Sequence, residues 1–152
     1  MHIVLVEPEI PANTGNIART CAVTGASLHL IRPLGFSTAD KYLKRAGLDY
    51  WHLVDINYYN SFADFADRYK EKQFYFATTK ATMMHTEVSY VPDGFLIFGK
   101  ETRGLPQQIL DGCPGVKIRI PMISAARSLN LSNSVAVVLF EALRQQGFPG
   151  LQ

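Results

Sequence analysis

Three polar blocks hold the side chains best suited to chemistry. The first is Asn13-Thr14-Gly15-Asn16-Ile17-Ala18-Arg19-Thr20-Cys21. Asn13, Asn16 and Arg19 recur every third position, on one stripe of a helix that opens after an apolar run. Two amides and a guanidinium near a positive helix N-terminus suit a phosphate or a hydroxyl. An N-cap followed by a solvated polar face accounts for the same residues. The second block is Phe98-Gly99-Lys100-Glu101-Thr102-Arg103-Gly104-Leu105-Pro106. Its glycines permit close approach of backbone to a ligand, and Glu101 with Arg103 offers either ligand contacts or a surface ion pair. The third block runs Ile118-Arg119-Ile120-Pro121-Met122, then Ala126-Arg127-Ser128-Leu129-Asn130-Leu131-Ser132-Asn133-Ser134 into the apolar Val135-Ala136-Val137-Val138. Ser128, Asn130, Ser132 and Asn133 exceed what capping one helix requires. A bound ligand would supply partners for the rest.

The elements that must position these blocks alternate along the chain. Apolar runs of strand length stand at 2–6, 28–31, 53–56, 74–78, 95–98 and 117–120. Helical patterns lie between them. Asn13 is placed to cap a helix to about Thr24, with Gly25 just past its end. A short helix fits 39–46. Ser61 caps one through Tyr69, and 105–110 fits another with Pro106 near its first turn. The last helix runs from about Asn130 to Gln145 and stops at Gly147. This alternation predicts an α/β fold, a mainly parallel sheet flanked by helices. Strands that are apolar throughout require helices on both faces. Ligands of such sheets sit beyond the carboxyl ends of the strands, here the loops after Val6, Thr78, Phe98 and Ile120.

Length and composition bound the rest. The 152 residues suit a single domain, 1–152, and no repeat or linker divides them. Fifteen Lys and Arg against thirteen Asp and Glu give a net charge of +2, so any nucleic-acid surface must be a local patch. The two cysteines, Cys21 and Cys113, make no disulfide framework, and a reducing cytoplasm is the expected compartment. The opening apolar run is too short for an export signal, and 135–140 is too short to span a bilayer. No membrane partner is expected.

Several familiar motifs fail. Residues 99–104 have P-loop spacing but lack the Lys and Ser/Thr that must follow. No glycine-rich loop follows the first strand, which excludes a flavodoxin-like nucleotide module. His85-Thr86-Glu87 mimics a zinc-deaminase motif without its cysteine pair. The four histidines are scattered, and no metal is expected.

Taken in order, N-T-G-N-I-x-R-x-C, F-G-x-E-T-R-G and I-P-M followed by R-S-x-N-L-S-N-S resemble the SPOUT methyltransferases over nearly the whole chain. Glu7-Pro8-Glu9-Ile10-Pro11, Pro33-Leu34-Gly35-Phe36 and Ala46-Gly47-Leu48-Asp49-Tyr50 add likeness to the tRNA (cytidine/uridine) 2′-O-methyltransferases of the anticodon wobble position. The resemblance implies a C-terminal deep trefoil knot, S-adenosyl-L-methionine as cofactor, the tRNA anticodon stem-loop as substrate, and a homodimer. The apolar run 135–143 suits a subunit interface and a buried core helix equally well.

By the same resemblance Asn13, Arg19, Glu101, Ser128 and Asn130 are the catalytic positions, with Glu101 and Asn13 orienting Arg19. Ala77, Gly99, Ile120, Ser128 and Leu129 would hold the cofactor. Lys41, Lys44 and Arg45, with Arg103, Arg119 and Arg127, are candidates for RNA contact, although a solvated helix face explains the first three. Trp51, Tyr58 and Tyr59 could stack bases or fill the core. Lys100 stands where the family has Pro or Ser and places a charge beside the cofactor loop. Methylation of another tRNA or ribosomal RNA site, or a non-catalytic RNA-binding dimer, would use the same fold.

Overall fold

The computed structural model describes residues 1–37 and 50–152. The expected 39–46 helix therefore lies outside the described residues. Six strands form one parallel sheet in the order β3-β2-β1-β5-β4-β6. They are β1 (His2–Val6), β2 (Ser27–Ile31), β3 (Ile56–Tyr59), β4 (Phe74–Ala77), β5 (Phe95–Phe98) and β6 (Val116–Ile118). β1 pairs on one side with β2, from His2↔Ser27 to Val6↔Ile31, and on the other with β5, from His2↔Phe95 to Leu5↔Phe98. The chain builds outward from β1 to β3, then returns to lay β4 and β5 on β1's other side. The order reverses between β1 and β5, so a crevice opens at their carboxyl ends.

Alternation along each strand sorts side chains to two faces. Ile3, Leu5, Leu28, Leu30, Tyr75, Leu96 and Phe98 pack with α1 (Pro11–Thr24) and α4 (Leu131–Gln145). Val4, Val6, Ile31, Phe74, Phe76, Phe95 and Ile97 pack with α2 (Phe62–Arg68) and α3 (Gln107–Gly112). Helices cover both faces, which is why apolar residues fill most positions of the central strands.

Several boundaries differ from expectation. α1 begins at Pro11 with Ile10 as an N-cap that makes no side-chain bond. Asn13 is thus not the cap but sits in the first turn, its amide free for tertiary use. Proline at the first position presets the helical φ and has no N–H to leave orphaned. The third strand starts at Ile56 rather than 53. Leu53 and Val54 instead turn back on Tyr50 and Trp51 through backbone hydrogen bonds of 2.9 and 3.4 Å. β6 ends at Ile118 because Arg119 leaves the ladder to bridge Met84, donating to the Met83 carbonyl at 2.9 Å. Leu105 is buried ahead of α3 rather than within it. The Ser61 cap forms as expected, accepting from the Asp64 N–H at 3.1 Å. Gly25 and Gly147 both take the left-handed φ of +73° that ends a helix.

One polar chain crosses the second face. His2 Nδ1 lies 3.0 Å from His29 Nε2, His29 Nδ1 lies 3.0 Å from the Tyr59 hydroxyl, and that hydroxyl lies 3.1 Å from the Tyr69 hydroxyl. Tyr59 is therefore a core residue, whereas Tyr58 is exposed beneath Arg32. Burial, then repulsion from His2, pushes the His29 imidazole down from 6.5 to about 4. Burial lowers His2 as well. The unfolded chain therefore binds protons that the folded chain refuses, and stability falls as pH drops. The free energy of unfolding, measured by denaturant titration, should decline from about pH 6.5 down to about pH 4. In a folded His29→Gln protein that decline should be shallower.

Candidate functional site

The loops at the carboxyl ends of β1, β4, β5 and β6 enclose a cleft of about 510 Å³. Its floor is Ala77, Phe98 and Ile118, where three strands end. Its walls are the 98–105 turn, the 119–130 segment and the first turns of α1 and α4. The size fits a small-molecule site, ordinarily about 300–1,000 Å³.

The 99–104 turn closes on itself. The Gly104 N–H donates to the Lys100 carbonyl at 2.8 Å, and Gly104 takes φ +66°. A Cβ on Gly99 would stand 2.0 Å from the Gly104 carbonyl carbon and 2.1 Å from the Leu105 nitrogen. Gly99 is thus required by the turn's own backbone, not by a ligand's approach as the sequence suggested.

Glu101 anchors this turn to the neighbouring strand's loop. One carboxylate oxygen accepts from the Glu9 N–H at 2.8 Å. The other accepts from the Ile10 N–H at 3.2 Å and the Asn13 side-chain amide at 3.0 Å. Asn13 Oδ1 in turn accepts from the Asn130 amide at 3.0 Å. Asn130 Oδ1 caps α4, accepting from the Ser132 and Asn133 N–H groups at 2.9 and 3.3 Å and from the Ser132 hydroxyl at 2.7 Å. One chain of charge-assisted and amide bonds thus joins β5's loop to the starts of α1 and α4. Asn130 and Ser132 of the third block find partners here within the protein itself, whereas the Ser128 hydroxyl lines the cleft without one among the described residues. Glu101 and Arg103 form no ion pair.

Of the residues given roles from the sequence, Asn13, Glu101, Ser128, Asn130, Ala77, Gly99, Ile120, Leu129, Arg103, Arg119 and Arg127 line this cleft. Arg19 does not. It is exposed, with its guanidinium 4.8 Å from the centroid of the Tyr50 ring. The expected single stripe of Asn13, Asn16 and Arg19 also divides: Asn13 is buried, while Asn16 and Arg19 face outward. A three-residue step falls short of a full helical turn by about 60°, so two steps carry Arg19 about 120° around α1. Asn13 and Glu101 therefore hold each other rather than orient Arg19. Lys41, Lys44 and Arg45 lie outside the described residues.

The sequence reading missed other participants. Glu9 accepts from the Thr102 N–H at 3.2 Å and its hydroxyl at 2.8 Å. Lys100, expected as a charge beside the cleft, is paired with Glu7 at 2.8 Å. Glu7 itself takes φ +51°, an uncommon backbone for a residue with a side chain. Two acidic residues astride a proline, at 7–9, are the signal the sequence offers, and the prolines at 8 and 11 leave the loop few backbone donors, of which Glu9 and Ile10 supply the two that Glu101 uses. Lys80 also lines the cleft, donating to Gln107 at 3.2 Å. Among the described residues, Lys80, Arg103, Arg119 and Arg127 have no carboxylate partner. Cys21 is excluded as a nucleophile, since burial pushes its thiol up to about 12. No cluster of metal ligands occurs among the described residues. No helix there is long and apolar enough to cross a membrane.

Comparison with known proteins matches residues 1–140 to the SpoU rRNA Methylase family. A tRNA (cytidine(34)-2'-O)-methyltransferase of Escherichia coli (strain K12) is 51% identical over 151 residues, covering 99% of this chain and 96% of that one. One of Yersinia pestis is 53% identical over 156 residues, covering 99% and 96%. A solved structure concerned with "the 2-OH methylation of C/U34 on tRNA" superposes with a TM-score of 0.92 at 43% identity, covering 96% and 95%. An AdoMet-bound rRNA methyltransferase from Sinorhizobium meliloti superposes at 0.82 with 25% identity, over 94% of this chain and 55% of that one.

Two substitutions test the cleft's construction. Gly99→Ala must displace the turn's backbone, and we expect a loss of about 1–3 kcal/mol in thermal or denaturant unfolding. Asn130→Ala removes a cap worth about 1 kcal/mol and also breaks the link to Asn13. It should therefore lower stability by more than a cap alone accounts for.

Proposed function

The chain belongs to the SpoU rRNA Methylase family, and from that membership we propose that it methylates the ribose 2′-hydroxyl of the pyrimidine at the tRNA anticodon wobble position, using S-adenosyl-L-methionine. The observation that carries this reading is the convergence of all three resembling blocks on one cleft at the strands' carboxyl ends. The names of relatives that match over nearly their full length support the wobble pyrimidine as target.

The cleft's size and its place where three parallel strands end fit the cofactor. Ala77, Gly99, Ile120, Ser128 and Leu129 would hold it, chiefly through main-chain groups, which is why so small a side chain as Ala77 serves. When bound, S-adenosyl-L-methionine supplies an electrophilic methyl on a sulfonium centre. The residues' task is to hold the ribose oxygen in line, where positioning alone is worth about 7–11 kcal/mol. Arg19 acts as a fixed charge rather than a base, because a guanidinium does not give up its proton. Its exposed fork lies outside its own chain's cleft and is available to grip an RNA phosphate bidentately, and so to align the ribose beside it. Glu101, Asn13 and Asn130 keep the three walls in register. Arg103, Arg119, Arg127 and Lys80 face the cleft without carboxylate partners and suit the phosphates of an anticodon stem-loop.

A homodimer working in the cytoplasm, with the trefoil knot of its class, completes the reading. Val137 and Phe140 on α4, with Ile123 and Leu129 beside the cleft, are exposed apolar side chains that a second copy would cover.

Purified protein incubated with labelled S-adenosyl-L-methionine and unmodified bulk tRNA should place label on a 2′-O-methylated pyrimidine of the anticodon loop. Arg19→Ala should bind cofactor normally and lose about 100-fold or more in transfer. Label elsewhere in tRNA, or in ribosomal RNA only, would move the target; a folded, fully active Arg19→Ala protein would remove Arg19 from the mechanism. Arg127→Ala should reduce the slope of log affinity against log salt by about 1.

A further inference from the structure

Glu9 is the residue whose geometry exceeds any role given to it so far. Its backbone N–H donates to Glu101 at 2.8 Å, and its carboxylate accepts from Thr102 at 3.2 Å (N–H) and 2.8 Å (hydroxyl). Each glutamate's carboxylate is thus seated on the other's segment. The two segments leave adjacent strands, β1 and β5, where the sheet order reverses.

The 99–104 turn does not need Glu9 for its shape. The Gly104-to-Lys100 hydrogen bond and the tight Gly99 contact already set that. What Glu9 fixes is where the finished turn rests. Glu101, Thr102 and Arg103 ride on that turn and line the cleft, whereas Glu9 does not. Glu9 therefore acts through its neighbours. Both bonds from Thr102 end on the same carboxylate oxygen, Oε2. The geometry requires one acceptor oxygen at that point and no negative charge.

We propose that Glu9 is a positioning residue for methyl transfer: its side chain latches Thr102 and so fixes the Glu101-to-Arg103 wall against the RNA-facing side of the cleft. This rests on the methyltransferase reading. The latch fixes the tip of the turn, which carries Arg103; Gly99 at its base is held by the turn's own closure, and the other residues assigned to the cofactor lie on β4 and the 118–130 segment. Its loss therefore shows in turnover and in RNA KM rather than in cofactor affinity.

The test compares Glu9→Ala, Glu9→Gln, Thr102→Val and the double variant Glu9→Ala/Thr102→Val. Turnover, KM for RNA, cofactor affinity and melting temperature are read for each, on whichever nucleotide the wild type methylates. A wrong wobble assignment then leaves the comparison intact. Exchange protection of the Thr102 amide is read in parallel and needs no RNA. Glu9→Ala should lower kcat/KM for RNA by about 10- to 100-fold, because small misplacements at a reacting centre are costly. Cofactor affinity should change less than about twofold, and Thr102 should lose protection. Glu9→Gln keeps an amide oxygen for Thr102 and should restore activity and protection to near wild type. The double variant should be no worse than Glu9→Ala alone, as coupled partners require. An inactive but folded Glu9→Gln would overturn the proposal in favour of a charged or proton-accepting role. Unchanged activity in Glu9→Ala, or losses that add in the double variant, would also overturn it.

Discussion

The structure depends on a single carboxylate. Glu101 accepts from two backbone N–H groups of β1's loop and from Asn13, and Asn13 passes the tie to Asn130 at the head of α4. Among the described residues Glu101 is the one side chain that reaches the backbone of β1's loop and Asn13 together, and the Thr102-to-Glu9 and Lys100-to-Glu7 contacts add to the same junction. The N–H groups of Glu9 and Ile10 lie just ahead of a helix whose first residue is a proline and whose N-cap makes no side-chain bond. Such donors are costly to leave unmade. Glu101 therefore supplies in tertiary contact what an N3 glutamate supplies in a capping box, an acceptor for the N-cap N–H. The fold lets α1 begin at the cleft wall because another strand's turn completes its start.

That arrangement also separates charge by task. The carboxylates near the cleft are turned inward onto protein donors: Glu101 and Glu9 onto each other's segments, Glu7 onto Lys100. The cations Lys80, Arg103, Arg119 and Arg127 line the cleft with no such claim on them among the described residues. A chain with a net charge of only +2 thereby presents a locally positive face. Composition could not reveal it, because three of the acids that enter the sum are tied into the loop network by protein donors, which a net charge does not register.

The fold was legible because its signal is hydrophobic and local. Four-residue apolar runs such as 95–98 and the serine ahead of Phe62 lead directly to β5 and α2. Errors fell where tertiary context overrides pattern. Leu53 and Val54 look like a strand but serve a turn, and Arg119 looks like a strand residue but pairs with Met84. The resemblance brought nearly all of the candidate site to one cleft, yet its internal wiring was not legible. Whether Asn13 faces Glu101 or Arg19 depends on a 120° rotation that a three-residue spacing does not reveal to the eye. Whether Gly99 serves a ligand or its own turn depends on a backbone contact five residues away.

Arg19 shows why such wiring matters for mechanism. Had Asn13 and Glu101 held the guanidinium, Arg19 would be a preset charge, fixed before any substrate arrived. Instead it rests on Tyr50 at the surface, a contact worth about 0.5–1 kcal/mol at an exposed site. A bidentate phosphate contact is stronger and more directional than that, so incoming RNA can draw Arg19 away at little cost. In the proposed reaction the rigid part of the site is then the cleft and its glutamate-and-asparagine frame. The adaptable part is the arginine, and its alignment becomes a consequence of substrate binding. Such a division lets the protein reserve its strongest positioning for RNA that presents phosphate and ribose together, which is a source of selectivity that requires no base to be read.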